Sequence, residues 1–347
     1  MCIPDIPAVE VAKKDQFKYS VGFESEQKLK DFFSHKIKLV LLRIIFGSGK
    51  IHEVNVALPS TSEEKQEKLR RVLPLTECVN CSVDLVPEWH NEGKDNLAGL
   101  RCPECSSFFE YDGNSLNFLT PGLREKFSVK PTDNVSSWGY DPKLNELLAK
   151  SPDKLFLDVG AGWRSKAFAN VINYEIKNYP STDVLGVGER LPFKDASFDG
   201  VISVAVLEHV LKPSLCADEM VRVLKPGGEL FCSAAFLQPV HAYPDHYYNM
   251  TAQGLIALFP DLEISEVFVP KAHHPMRIIG WIIRTYLKWL PERKRRKLLS
   301  KTVEELIAMD DFRSMPDNPF VKEFPEEKMF EIAGGTAIVA RKPSDKK

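Results

Sequence analysis

At 347 residues, 44% hydrophobic and 27% charged, the chain has an ordinary globular composition and room for two or three domains with a substantial core. A formal net charge of −2 excludes a global attraction to nucleic acid or membrane, so either partner would have to be met by a local patch. No apolar run reaches the ~20 residues that span a bilayer, and the amino terminus lacks the basic start, apolar core and cleavage site of a secretion signal, so the expected location is cytoplasmic. Four of the seven cysteines form two tight pairs while Cys2, Cys216 and Cys232 are scattered, a usage that suits a reducing compartment and a metal site better than disulfides.

Residues 1–73 form a helical extension on this reading. Leu29, Phe32, Phe33, Ile37, Val40 and Leu41 recur at helical spacing between Glu24 and Arg43, which predicts an amphipathic helix whose Lys28, Lys30, Lys36, Lys38 and Arg43 make a solvated face. A second helix is expected from Thr61, where Thr61-Ser62-Glu63-Glu64 has the capping-box pattern ahead of Leu69, Val72 and Leu73.

The next segment, 74–120, carries Cys78-Val-Asn-Cys81, then 20 residues, then Cys102-Pro-Glu-Cys105. Two short knuckles separated by the length of a β-hairpin bring four thiolates to one tetrahedral point, the preference of Zn²⁺ in a closed structural site. His90 lies between the pairs, but four thiols already complete the shell. The cysteine pairs, with Phe108-Phe109-Glu110-Tyr111-Asp112-Gly113 and Phe118-Leu119 after them, resemble the zinc ribbon of the activator subunits of tRNA and protein methyltransferases.

Residues 121–150 read as a linker followed by a leading helix from Pro142 to Lys150. From Leu155 the pattern alternates: a buried strand runs into Asp158-Val159-Gly160-Ala161-Gly162, and further short strands are expected at Val171–Glu175, Asp183–Val187, Gly200–Ser203 and Glu229–Ser233, with a helix at Ala217–Leu224. Alternation of this kind predicts a parallel sheet covered on both faces by helices, with ligands outside the carboxyl ends of the strands.

Four later segments are Leu191-Pro192-Phe193-Lys194-Asp195-Ala196-Ser197-Phe198-Asp199, Val206-Leu207-Glu208-His209-Val210, Arg222-Val223-Leu224-Lys225-Pro226-Gly227-Gly228 and Gly334 to Lys342. In this order they resemble class I S-adenosylmethionine-dependent methyltransferases. The resemblance implies an α/β, Rossmann-like domain with a seven-stranded, mostly parallel sheet, formed by 151–272 plus 331–347, with a sixth strand at Glu263–Pro270 and a final antiparallel strand from Gly334. It also implies S-adenosylmethionine as cofactor, held by Asp158, Gly160, Gly162, Glu175, Glu189 and Leu191, with Leu191 and Phe193 along the adenine. Glu208 and His209 then lie where an acceptor meets the enzyme. The segment from Ala235 to Thr251 resembles a subgroup of the same enzymes and adds His241 and Tyr247 to the acceptor side. Ser165, Val187, His246 and Asn249 depart from the family pattern, which leaves open a methyltransferase-fold scaffold that binds partners with little catalysis.

Residues 273–330 are an insertion before the last strand. Its helix, Met276 to Leu290, sets Ile278, Ile279, Trp281, Ile282, Ile283, Tyr286, Trp289 and Leu290 beside Arg277, Arg284 and Lys288, and Arg293-Lys294-Arg295-Arg296-Lys297 follows. The 277–297 region can lie on an anionic membrane, cover a lipid-linked acceptor, clamp RNA phosphate or pack as a lid. The acceptor implied by these features is RNA, a glycan or lipid, or a small metabolite.

Overall fold

The computed structural model describes residues 41–45, 51–55, 62–91, 93, 96–132, 139–164, 166, 168–241, 245–309 and 317–337. The chain divides into two compact units, Met1–Leu58 and Pro59–Lys347. In the first, β1 (Leu41–Ile45) pairs antiparallel with β2 (Ile51–Asn55). Leu41, Leu42 and Arg43 are therefore strand and not the end of a helix, since a ladder partner is available to this β-branched, apolar run. The rest of the expected Glu24–Arg43 helix lies outside the described residues.

The second unit opens with α1 (Ser62–Val72), whose buried Leu69 and Val72 face the core. Three short antiparallel strands, β3 (Val86–Trp89), β4 (Leu97–Arg101) and β5 (Phe108–Glu110), form the cysteine module. After it come β6 (Leu116–Asn117), α2 (Pro121–Lys126) and α3 (Pro142–Lys150). Asp141 caps α3 by accepting from Lys143 N, and Pro142 sits at the first turn, where its missing N–H costs nothing. The strands β7 (Phe156–Val159), β8 (Val171–Glu175), β9 (Val184–Leu185) and β10 (Phe198–Val204), the helix α4 (Pro213–Val223) and β11 (Leu224–Ser233) complete the α/β part.

Six strands form one sheet in the order β11-β10-β7-β8-β9-β6, and each neighbouring pair is parallel. Neighbouring residues of β7, β8 and β10 enter two separate cores. On one face Phe156, Val171 and Ile202 pack with Leu144 and Leu148 of α3. On the other, Leu157, Ile172, Tyr174 and Val201 pack with Cys216, Ala217, Met220 and Val223 of α4, and that cluster continues without a break into Leu69, Cys78, Leu100, Phe109 and Phe118.

Three expectations need revision. No helix links β7 to β8 or β8 to β9 among the described residues, so α1 and the cysteine module cover the surface that crossover helices would take. Glu263–Pro270 forms no strand ladder among the described residues, and Gly334–Ala337 is irregular, while Ile338–Lys342 lie outside the described residues. Part of the expected linker is helical, Pro121–Lys126 forming α2 capped by Thr120, which accepts from Leu123 N.

Helix α5 (Ala252–Ile256) precedes the insertion, which contains α6 (Pro275–Trp289), α7 (Glu292–Leu299) and α8 (Val303–Ile307). Leu290, Phe320 and Phe324 form its own small core, with Tyr286 stacked on Phe324 at 4.5 Å between ring centroids. Among the described residues no helix is long and apolar enough to cross a membrane.

Candidate active site

The carboxyl end of the central strand sets the site. Asp158 is fully buried, and an ionised carboxylate there needs a cation. Arg164, 7% exposed, supplies it with Nε 2.9 Å and a second nitrogen 2.7 Å from Oδ2, and Tyr140 donates to the same oxygen at 2.5 Å. The Arg164 guanidinium lies over the Tyr140 ring at 4.3 Å. Between these anchors the chain turns at Gly160 (φ +72°) and Gly162 (φ +63°), in the left-handed region that favours glycine. A Cβ on Gly160 would lie 2.4 Å from Val206, so the close approach of the turn to β10's end also requires glycine. Glu175, ending β8, accepts from Gly162 N at 2.6 Å and from Ile176 N at 2.7 Å. Burial pushes its carboxyl above the usual range, and the backbone donors oppose that shift.

A cavity of about 730 Å³ opens beyond these strand ends. Gly160, Gly162, Glu175, Val187, Gly188 and Glu189 form one wall. Glu189 is 7% exposed and its carboxyl is raised by burial. The opposite wall holds His209, His241, Asp245, Tyr247, Arg277 and Trp281. His209 sits 5.0 Å from His241 between ring centroids, His241 sits 5.2 Å from Trp281, and burial lowers His209 to about 4 and also lowers His241. Glu208 lies behind this wall, fully buried, with Oε1 accepting from Ala235 N at 3.2 Å and Oε2 unpartnered among the described residues. Burial pushes its carboxyl up to about 7.

The four cysteines are not among this cavity's lining residues but are close to one another. All four Sγ atoms lie within 4.8 Å, with Cys78 to Cys105 at 3.6 Å and Cys81 to Cys102 at 3.3 Å. The two knuckles repeat one geometry. Ser82 N donates to Cys78 O at 2.8 Å and Ser106 N to Cys102 O at 3.1 Å, and Ser82 and Ser106 both take positive φ, 55° and 57°.

Residues 157–232 match a family described as the methyltransferase domain. A demethylmenaquinone methyltransferase of Clavibacter sepedonicus is 30% identical, over 39% of this chain and 73% of that protein. The chain belongs to the S-adenosylmethionine-dependent methyltransferases. An uncharacterised methyltransferase of Schizosaccharomyces pombe is 41% identical over 18% of this chain, which spans about a quarter of that relative's length, 23%. A solved S-adenosylmethionine-dependent methyltransferase of Thermotoga maritima, described as a possible histamine N-methyltransferase, has 19% identity and a TM-score of 0.25, covering 34% of this chain and 67% of that one.

In this methyltransferase the structure brings Gly160, Gly162, Glu175, Glu189, His209 and His241 to one cavity. Asp158 stands behind the glycine turn, bonded to Arg164. Leu191 and Phe193 do not line the cavity: both are fully buried, Leu191 N donates to Glu219, and Phe193 packs edge-on against Tyr174 and Phe198 at 5.9 and 5.0 Å. Core packing claims these apolar side chains before a ligand can. Sequence reasoning missed Tyr140 and Arg164, because their pairing with Asp158 crosses two elements. It also missed the wall contributed by Phe127 to Lys130 and the ion pair of Lys130 with Asp245 at 2.7 Å.

Replacing Arg164 by Met leaves Asp158 without a cation in a dry site, and the variant is expected to lose about 3–5 kcal/mol of unfolding free energy. Urea denaturation of both proteins measures this; equal midpoints and slopes would show that the pair contributes nothing.

Proposed function

We propose that the protein transfers the methyl group of S-adenosylmethionine to an acceptor held against the His209, His241 and Tyr247 wall. What carries the reading is the single cavity that joins the glycine turn and the Glu175 and Glu189 carboxylates to that wall. Bound S-adenosylmethionine supplies an electrophilic methyl on a sulfonium leaving group. Gly160 and Gly162 then permit close backbone approach, and Glu175 and Glu189 offer carboxylates to hydroxyl or cationic groups of the cofactor. Catalysis is mostly positioning, because the leaving group needs no help. His209, His241 and Glu208 are the polar groups on the acceptor side, able to take its proton directly when they hold no ion.

Calorimetry should give a micromolar dissociation constant for S-adenosylmethionine, and labelled methyl should pass into one fraction of a cell extract divided into RNA, protein, lipid and glycan. Failure of the cofactor to bind leaves the scaffold reading, which the two backbone donors already occupying Glu175 favour.

We further propose that Cys78, Cys81, Cys102 and Cys105 hold a structural Zn²⁺ in a ribbon. Four thiolates at about 2.3 Å from one ion are separated by about 3.8 Å, close to the sulfur spacings of 3.3 and 3.6 Å here. Metal analysis is expected to find thiolate-bound zinc, and Cys78→Ser is expected to lose it and to lower the thermal midpoint. Full thermal stability after chelation would overturn the assignment.

The insertion supports a surface role. Met276, Ile279 and Ile283 fall on one side of α6, are 68, 49 and 41% exposed, and are flanked by Arg284 and Lys288. From 271 to 309 there are ten Lys or Arg and three Asp or Glu, in a chain whose net charge is −2. An apolar stripe with a cationic border matches an anionic membrane surface better than RNA, which has no use for the stripe. Vesicles of phosphatidylglycerol should therefore co-float the protein, neutral phosphatidylcholine vesicles should not, and Arg293→Glu with Arg296→Glu should reduce flotation several-fold. Binding to RNA but not to vesicles would reverse the choice.

A further inference from the structure

We infer that Glu208, His209 and His241 form a binding site for a divalent first-row transition metal on the acceptor side of the cavity. The inference deepens the methyltransferase reading and rests on it for its chemistry, though not for its geometry.

One ligand atom from each of the three residues lies within 4.8 Å of the others. The hydrogen bonds around them leave the lone pairs a metal needs. His209 Nδ1 is 2.9 Å from Asp245 O and His241 Nδ1 is 2.9 Å from Pro239 O. A carbonyl oxygen only accepts, so each Nδ1 carries the proton and each Nε2 is a bare lone pair, with no hydrogen bond among the described residues. This arrangement is the outer-shell device by which metal-bound imidazoles are held in one tautomer and orientation. Glu208 contributes Oε2, fully buried and without a partner, while Oε1 is fixed by Ala235 N. A carboxylate oxygen buried in this way costs free energy unless it meets a proton or a cation.

His246 completes the surroundings without competing. Its ring stands 4.5 Å from that of His241, but both nitrogens are engaged: Nδ1 accepts from His241 N at 3.3 Å, and Nε2 contacts Tyr248 O at 3.1 Å and Asn249 Oδ1 at 3.0 Å. It braces His241. No lysine or arginine neutralises Glu208 among the described residues, since Lys130 pairs with Asp245 and Arg277 Nη1 donates to Ala272 O at 3.0 Å.

Two imidazoles and one carboxylate suit Zn²⁺, Mn²⁺ or Fe²⁺ rather than Mg²⁺ or Ca²⁺, which prefer all-oxygen shells. His209 and His241 both line the cavity, so coordination positions would remain open toward it. The acceptor class follows: an oxygen nucleophile, a hydroxyl whose ionisation the charge promotes. At this site the hydroxyl loses its proton to solvent water. Its oxygen lone pair forms the new C–O bond as the C–S bond breaks, and that electron pair stays on sulfur, giving neutral S-adenosylhomocysteine.

Titration of the metal-stripped full chain with Co²⁺ tests the site. Ions on the cysteines give intense thiolate charge-transfer bands, whereas the inferred site gives weak visible bands without them. The wild type should show one equivalent of the thiolate-free spectrum, and Glu208→Gln and His241→Ala should each weaken that binding at least tenfold, leaving the thiolate bands unchanged. Absence of the thiolate-free equivalent in the wild type, or its survival in both variants, overturns the site. Calorimetry with S-adenosylmethionine on the same samples separates the two readings. Cofactor binding without the second ion sinks the metal site alone, and the second ion without cofactor binding sinks the methyltransferase reading and keeps the site.

Discussion

The Asp158 carboxylate, fully buried at the end of the central strand, is the constraint around which the site is arranged. It must be neutralised, and the chain does so locally by folding Arg164 back onto it six residues later, with Tyr140 arriving from the segment before α3. No helix forms between β7 and β8 among the described residues. The turn is therefore compressed, Gly160 and Gly162 take left-handed backbone angles, and Gly162 N comes within 2.6 Å of Glu175. The same ion pair thus places both the glycine wall and one acidic group of the cavity.

A second consequence concerns how the sheet is covered. With no helix in the first two crossovers among the described residues, that face of the sheet is packed by α1 and the cysteine module. Three polar contacts tie the pieces together. Lys65 and Lys68 both reach Asp183 at 2.9 Å, all three side chains being buried, and Asp183 also accepts from Asn173 N. Arg190 donates to Val79 O at 3.1 Å and Ser82 Oγ at 2.6 Å, and Arg222 Nη1 lies 3.7 Å from Glu77 Oε1. Finally β6 adds itself to β9, so the open edge of the sheet is paired rather than exposed. The cysteine module is in this sense part of the methyltransferase core, and loss of order at the cysteines would reach the sheet through Cys78 and Phe109.

Local patterns carried much of this into the sequence. Helix α3 was legible to the residue, because Asp141-Pro142 announces its start and Leu144, Leu147 and Leu148 give its buried face. The central strand and its glycine turn were legible for the same reason: fully apolar flanks and two glycines leave few alternatives. The Leu191-Pro-Phe193 segment misled, since a ligand wall and a core look alike as apolar residues, and only the packing of Phe193 between Tyr174 and Phe198 separates them. Glu263–Pro270 has strand composition but joins no ladder among the described residues, which composition cannot reveal.

What the sequence by itself determined was the inventory: the short strands of a parallel sheet, two cysteine knuckles, the glycine turn, and a histidine-bearing segment after the last described strand. Each of these is a short-range pattern in which neighbouring residues impose backbone geometry on one another. Only the tertiary structure decided which groups meet. Tyr140 on Asp158, Lys130 on Asp245, and His241 beside Glu208 and His209 are encounters between segments distant in sequence, set by burial and charge compensation across the fold, and no spacing along the chain encodes them.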